Sequence, residues 1–304
     1  MIHKYSILRA GVWMACLFAP AVLLARADDA VSKPEMKPAD AARPAKDAAA
    51  PTTAKPQREL SPALTALRDN VRRTLAMHRK LSLNTRDNSA TEILGYCQAF
   101  GCGAEVLLQG PNGQRINGIT SLCWNYPCAG FEMLGLSQGH IAARVGYGSQ
   151  EHPGEFLAML ALARVQSDYP VRVANDVRSV ADVIEAEKLG CRSGGDMSLK
   201  LIGLSYYVDE REWKNDLDET WSIERIVQEE VAQPVVTASE GGLNRLMGLS
   251  YAVARRAKGG QPIDGQFQRA RKYTADFHAF ALQLQNSDGS WGPSFLAAKS
   301  ASPD

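Results

Sequence analysis

The run Glu151-His152-Pro153-Gly154-Glu155 sets an imidazole between two carboxylates just ahead of the apolar residues Phe156, Leu157 and Leu160. Proline is favoured in the first turn of a helix, so Pro153 predicts a helix start with His152 at its N-cap. A helix N-terminus attracts negative charge, and an imidazole held there is placed to act as a general base if a substrate comes within reach. The same residues would also serve as a plain helix cap. Cys191, ahead of Arg192-Ser193-Gly194-Gly195, reads either as a thiol nucleophile or as a packed side chain. The catalytic candidates are therefore His152 with Glu151 or Glu155, and Cys191. Tyr147, Tyr206, Tyr251 and His278 are the candidate ligand contacts, provided that they face a common cavity.

Four further cysteines form two pairs, Cys97 with Cys102 and Cys123 with Cys128. Structural zinc sites use tighter knuckles, and an exported chain favours disulfides, so disulfides, reduced core thiols and metal ligands all stay open. Residues five apart on an unbroken helix point about 140° apart, so either close pair needs a turn between its partners. Gly101 and Pro127 supply such breaks. Neither a metal nor a cofactor is expected.

These residues need elements to hold them, and the chain does not spend its whole length on a core. Lys4 and Arg9, the apolar stretch Ala10 to Ala25 and the small-x-small site Ala25-Arg26-Ala27 read as a signal peptide over residues 1–27. Residues 28–58 carry Pro34, Pro38, Pro44, Pro51 and Pro56 among Ala and Lys, with almost no large apolar side chain, and predict a disordered tether. A helical domain over 59–295 and a short flexible tail over 296–304 complete the expected organisation. With 34 Lys and Arg against 33 Asp and Glu, a broad basic face for nucleic acid is excluded. No internal apolar run approaches the roughly 20 residues of a membrane span, so no integral segment is expected after signal removal. The expected location is periplasmic or extracellular.

From Leu60 onward the apolar spacing is helical. Leu60, Leu64, Leu67, Val71 and Leu75 follow one stripe behind the cap Ser61-Pro62, and Ser222 precedes Ile223, Ile226, Val227 and Val231. Ser179–Leu189 and Phe267–Leu284 repeat the signal. Long β-type alternation is absent. Lys200-Leu-Ile-Gly-Leu-Ser-Tyr-Tyr-Val208 recurs 45 residues later as Arg245-Leu-Met-Gly-Leu-Ser-Tyr-Ala-Val253, each copy behind a Gly-Gly pair. A period of this size with two helices per unit marks a helical repeat array, an open solenoid or a closed ring. Gly203 and Gly248 each cost about 1 kcal/mol against Ala in mid-helix, which points to close helix packing at both.

Gln285-Asn-Ser-Asp288-Gly289-Ser-Trp291, following a helix, resembles the QW motif of squalene-hopene cyclases and their relatives in the α/α-toroid superfamily, which includes protein prenyltransferase β subunits. The chain is most similar to uncharacterised secreted bacterial members carrying a prenyltransferase/squalene-oxidase-type repeat. The resemblance implies an all-α toroid, closed or incompletely closed, with Gln285, Asp288, Gly289 and Trp291 as a structural clasp. It does not carry the family chemistry over. Asp216-Leu217-Asp218-Glu219, the nearest match to the cyclase acid motif, sits in a hydrophilic connection where an alkene protonator would need a dry site. No zinc triad matches, and Gly101-Cys102-Gly103-Ala104-Glu105 lacks the residues of a thioester. The leading expectation is a scaffold that binds a small molecule, glycan or peptide in a central cavity or on a concave face without turnover. The alternative is a lyase or hydrolase using His152 with Glu155, or Cys191.

Overall fold

The computed structural model describes residues 61–81, 83–235, 242–286 and 291. The chain divides into two compact units, Ala27–Leu81 and the remainder. The expected signal peptide, tether and C-terminal tail lie outside the described residues. In the smaller unit, α1 (Pro62–His78) begins where the Ser61 hydroxyl accepts the Leu64 N–H at 3.4 Å.

The larger unit is helix-rich but not all-α. Among its described residues, four antiparallel two-stranded hairpins interrupt the helices: β1–β2 (Glu105–Leu107, Arg115–Asn117), β3–β4 (Leu134–Ser137, His140–Ala143), β5–β6 (Pro170–Val173, Asp176–Ser179) and β7–β8 (Trp213–Lys214, Thr220–Trp221). This corrects the expectation of a purely helical chain. Strands of two to four residues are too short to generate a readable alternation. Gln138 and Gly139 both take positive φ in the two-residue loop joining Ser137 to His140, as a tight hairpin turn requires.

Three hairpins join a pair of helices. The units are α2 (Ala90–Phe100) with α3 (Gly118–Cys123), α4 (Glu155–Leu162) with α5 (Val180–Leu189), and α6 (Ser198–Tyr207) with α7 (Ile223–Ala232). A fourth pair, α8 (Leu243–Lys258) and α9 (Gly265–Leu284), is joined by a plain loop. The hairpin β3–β4 is an insertion between the first and second units. Each of the three joining hairpins runs directly into a helix cap. Asn117 accepts the Thr120 N–H at 3.1 Å and Ser222 accepts the Arg225 N–H at 3.1 Å. The Asp182 carboxylate accepts the Ser179 N–H at 2.8 Å. Such caps satisfy orphan N–H groups and each contributes about 1 kcal/mol.

The first helices of successive units pack side by side, α2 on α4, α4 on α6 and α6 on α8. Gly154 faces Lys200 while Gly203 faces Leu157, so α4 and α6 run parallel. A Cβ on Gly203 would fall 2.5 Å from Leu157 Cγ, and one on Gly248 would fall 2.2 Å from the Ser198 carbonyl oxygen. Both helix glycines are therefore required by close approach of a neighbouring helix. The core runs continuously between the two helix layers, with Trp221, Phe156, Ile93, Leu94 and Leu201 fully buried in it.

The repeat also recurs in its ion pairs. Lys200, third residue of α6, meets Glu187 of α5 at 2.9 Å, and Arg245, third residue of α8, meets Glu230 of α7 at 2.9 Å. Glu230, fully buried, also accepts the Met197 N–H at 2.9 Å and the Ser198 hydroxyl at 2.7 Å. A buried charge survives only when paired and hydrogen-bonded, and Glu230 has both.

Candidate functional site

The catalytic candidates sit at the N-terminal ends of α4 and α6, and most of their chemistry is taken up by structure. The helix after Pro153 starts at Glu155, with Gly154 as a left-handed N-cap, so His152 stands outside the helix and not at its cap. The Glu155 carboxylate is completely buried and accepts the N–H of Glu151 at 2.8 Å and of His152 at 3.4 Å. The His152 imidazole is nine-tenths buried, with Nδ1 3.8 Å from an Asp196 carboxylate oxygen. The side chain of Lys200 links this region to the second candidate, because it packs against Gly154 and donates to the Gly190 carbonyl at 2.9 Å, one residue before Cys191. Cys191 is fully buried, its sulfur directed at the Glu187 carbonyl at 3.5 Å. Burial pushes its thiol up to about 11, only partly opposed by Lys200, so a thiolate nucleophile is not available at neutral pH.

The other four cysteines are free thiols as well, with Cys97, Cys123 and Cys128 buried and Cys102 exposed. The close pairs do not bridge. Cys97 points at Gly118 from within α2, whereas Cys102 lies past the helix end with its sulfur toward the Ala163 carbonyl at 3.4 Å. Among the described residues no three His, Cys, Asp or Glu side chains gather around a point where a metal would bind. Asp216, Asp218 and Glu219 lie in the β7–β8 loop, where Arg192 donates to Asp216 at 2.6 Å and the Asp218 side chain is almost fully exposed.

The ligand-contact candidates separate into two groups. Tyr147 is 93% exposed on a loop, touching only the edge of Phe131 at 5.5 Å between ring centroids, and takes no part with the others. Tyr206 and Tyr251 lie on adjacent helices, α6 and α8, and pack around one secondary apolar cluster with Leu199, Ile202, Leu246 and Met247. Tyr273 and Phe277 of α9 join the same cluster, and His278 follows them, half-buried, its pKa lowered by that burial.

The partly buried tyrosines divide by hydrogen bonding. Tyr207 donates to the Val165 carbonyl at 2.7 Å, Tyr273 to the Gln233 carbonyl at 3.1 Å, and Tyr169 shares a hydrogen bond with Thr120 at 3.0 Å. The hydroxyls of Tyr206 and Tyr251 have no such partner among the described residues. The preceding Ser205 and Ser250 hydroxyls are buried and equally unmatched. Arg255, one turn beyond Tyr251, lies 5.0 Å over the Tyr206 ring. The Tyr207–Val165 bond brings the end of α4, and with it Arg164, to the same place. Burial pushes the Tyr251 phenol up to about 12 although Arg255 and Arg164 pull the other way, so it stays protonated and able to donate.

Arg164 and Arg255 are the members of this group that the sequence did not single out. Arg255 carried a usable signal, as it follows the repeated tyrosine at helical spacing. Arg164 carried none, since its place depends on how α4 ends. The clasp expected after α9 is partly described: Gln285 caps the helix, and the Trp291 indole N–H donates to the Ala281 carbonyl at 2.7 Å. Asp288 and Gly289 lie outside the described residues. Compared with protein-family models, curated proteins and solved structures, the chain matches none.

Proposed function

We propose that this chain is an exported helical-repeat protein of the α/α-toroid type that binds a small molecule, glycan or peptide without turning it over. The binding end is that of Tyr206, Tyr251 and Arg255, where the first helices of successive units finish. The observation that carries the reading is the pair of half-buried tyrosines whose hydroxyls, among the described residues, meet no protein group. Half-buried phenols ordinarily find a partner, as the other half-buried tyrosines do here, so two idle ones side by side fit a ligand. The parallel stacking of α4 and α6 and the layer of second helices support a toroid-type array. The separation of the candidates supports binding over catalysis, because His152, Glu155 and Cys191 stand at the opposite helix ends from the tyrosines. The alternative, a hydrolase or lyase, rests on the imidazole of His152 beside Asp196.

Tyrosine fluorescence titrations with soluble oligosaccharides, short peptides and hydroxylated aromatic compounds test this. Saturable binding is expected, weakened tenfold or more by the double substitution Tyr206→Phe and Tyr251→Phe, with the compound recovered unchanged. Consumption of a compound, abolished by His152→Ala, would replace this reading with the enzymatic one.

A further inference from the structure

The leucine stripe of α1, Leu64, Leu67, Val71 and Leu75, has no part in the tyrosine end. In the larger unit the amphipathic helices turn their apolar faces to the core, as α7 does with Ile226 and Val227. In α1 no residue is buried, and Leu64 and Leu67 are each more than half exposed. The smaller unit holds no second helix or strand among its described residues to cover them. An apolar stripe left in water adds nothing to stability, and a single helix of 17 residues is marginal on its own. The stripe therefore fits a surface that takes it out of water.

The charge of the same helix says which surface. Residues 61–81 carry Arg68, Arg72, Arg73, Arg79 and Lys80 with one acid, Asp69, whereas the whole chain is balanced at 34 basic to 33 acidic residues. Asp69 lies 3.0 Å from Arg68 and 3.9 Å from Arg72, so one carboxylate is shared by two guanidiniums. At helical spacing Arg68 and Arg72 flank the stripe, while Arg73 lies on the far side. Cations spread around a helix suit the diffuse field of a charged surface, whereas a protein groove would meet one face alone. Pairing two copies of the helix would crowd arginines with a single acid in each to offset them. Arginine stems beside the stripe can lie along an apolar layer while their guanidiniums stay at its polar edge.

We propose that α1 is an interfacial anchor that lays its leucine stripe into the surface of an anionic lipid bilayer, with Arg68, Arg72 and Arg73 drawn to the lipid phosphates. Such a helix lies in the plane of the interface and does not span it. No described helix is long and apolar enough to cross a membrane.

The test is co-sedimentation of residues 28–304, which lack the apolar N-terminal stretch, with vesicles of phosphatidylcholine alone or of an equal mixture with phosphatidylglycerol. Binding to the mixed vesicles is expected to be tighter by about tenfold or more, and to weaken as salt rises. Leu64→Gln with Leu67→Gln should weaken it by a similar factor, and Arg72→Gln with Arg73→Gln should remove the preference for anionic vesicles, both with the melting temperature unchanged. Equal binding to the two vesicle types, or none, would overturn the proposal, as would binding indifferent to the leucine pair. A doubled mass in light scattering that the leucine pair returns to monomer would also overturn it and assign the stripe to a second copy of the chain. A melting temperature lowered by the leucine pair would instead assign the stripe to packing within the chain, with the same result.

Discussion

At the residue scale, environment and not identity sorts the cysteines. Three of the thiols that resemble a disulfide framework in the sequence are buried, Cys97 and Cys123 in the first unit and Cys128 just after it, and each is pushed away from ionisation by that burial. Cys102, exposed and also raised, is the one a reagent can reach. Alkylation of folded 28–304 should therefore label Cys102 first, and unfolding without reductant should expose all five thiols. Mass spectrometry reads the count directly, and a count of three or one after unfolding would mean that disulfides form. The spacing of the pairs was legible in the sequence, but their fate was not. It depends on Gly101 and Gly103, whose tight turn leads Cys102 away from Cys97.

At the scale of elements, the helix glycines make a graded prediction. The Cβ of Gly203→Ala would press on a leucine side chain, which can rotate, whereas that of Gly248→Ala would press on the backbone oxygen of Ser198, which cannot. Overpacking costs about 1–3 kcal/mol, offset in each case by about 1 kcal/mol of helix propensity. Gly248→Ala should lower stability by about 2 kcal/mol and Gly203→Ala by less, as measured by denaturant unfolding. The opposite order would mean that the two helix crossings are not as described. Helix starts were plainly legible from Ser61-Pro62, Ser179 and Ser222, because a cap is a local device. The repeat was legible only where Gly-Leu-Ser-Tyr survives. Counted from the helix start, the sixth residue is glycine in α2, α6 and α8 (Gly95, Gly203 and Gly248) but Leu160 in α4, so the motif is lost there. The hairpins were invisible because their register is held by the helices they feed.

At the scale of the larger unit, stability should be sensitive to alkali. Burial raises the phenol of Tyr207 above its ordinary value of 10, and raises that of Tyr251 to about 12. The folded state holds these protons while the unfolded chain gives them up near pH 10. The contribution is therefore complete below pH 10 and is lost as pH rises toward 12. Absorbance of phenolate at 295 nm should rise for Tyr207 and Tyr251 in step with the loss of helical circular dichroism, and Tyr251→Phe should make stability less steep in pH over that window. Full ionisation near pH 10 with helices intact would show that the tyrosine cluster is open to water.

Glu230 has a consequence in time as well as in energy. It serves the start of α6 through Met197 and Ser198, 33 and 32 residues behind it in the chain, and it then grips Arg245 on α8. A chain emerging N-terminus first thus leaves the start of α6 without its Glu230 contacts until α7 has appeared, and Glu230 without Arg245 until α8 follows. Each unit is left with an open seam that its successor closes. The array should assemble in order along the chain, and a ribosome that stalled after α7 would leave that carboxylate still waiting for its arginine.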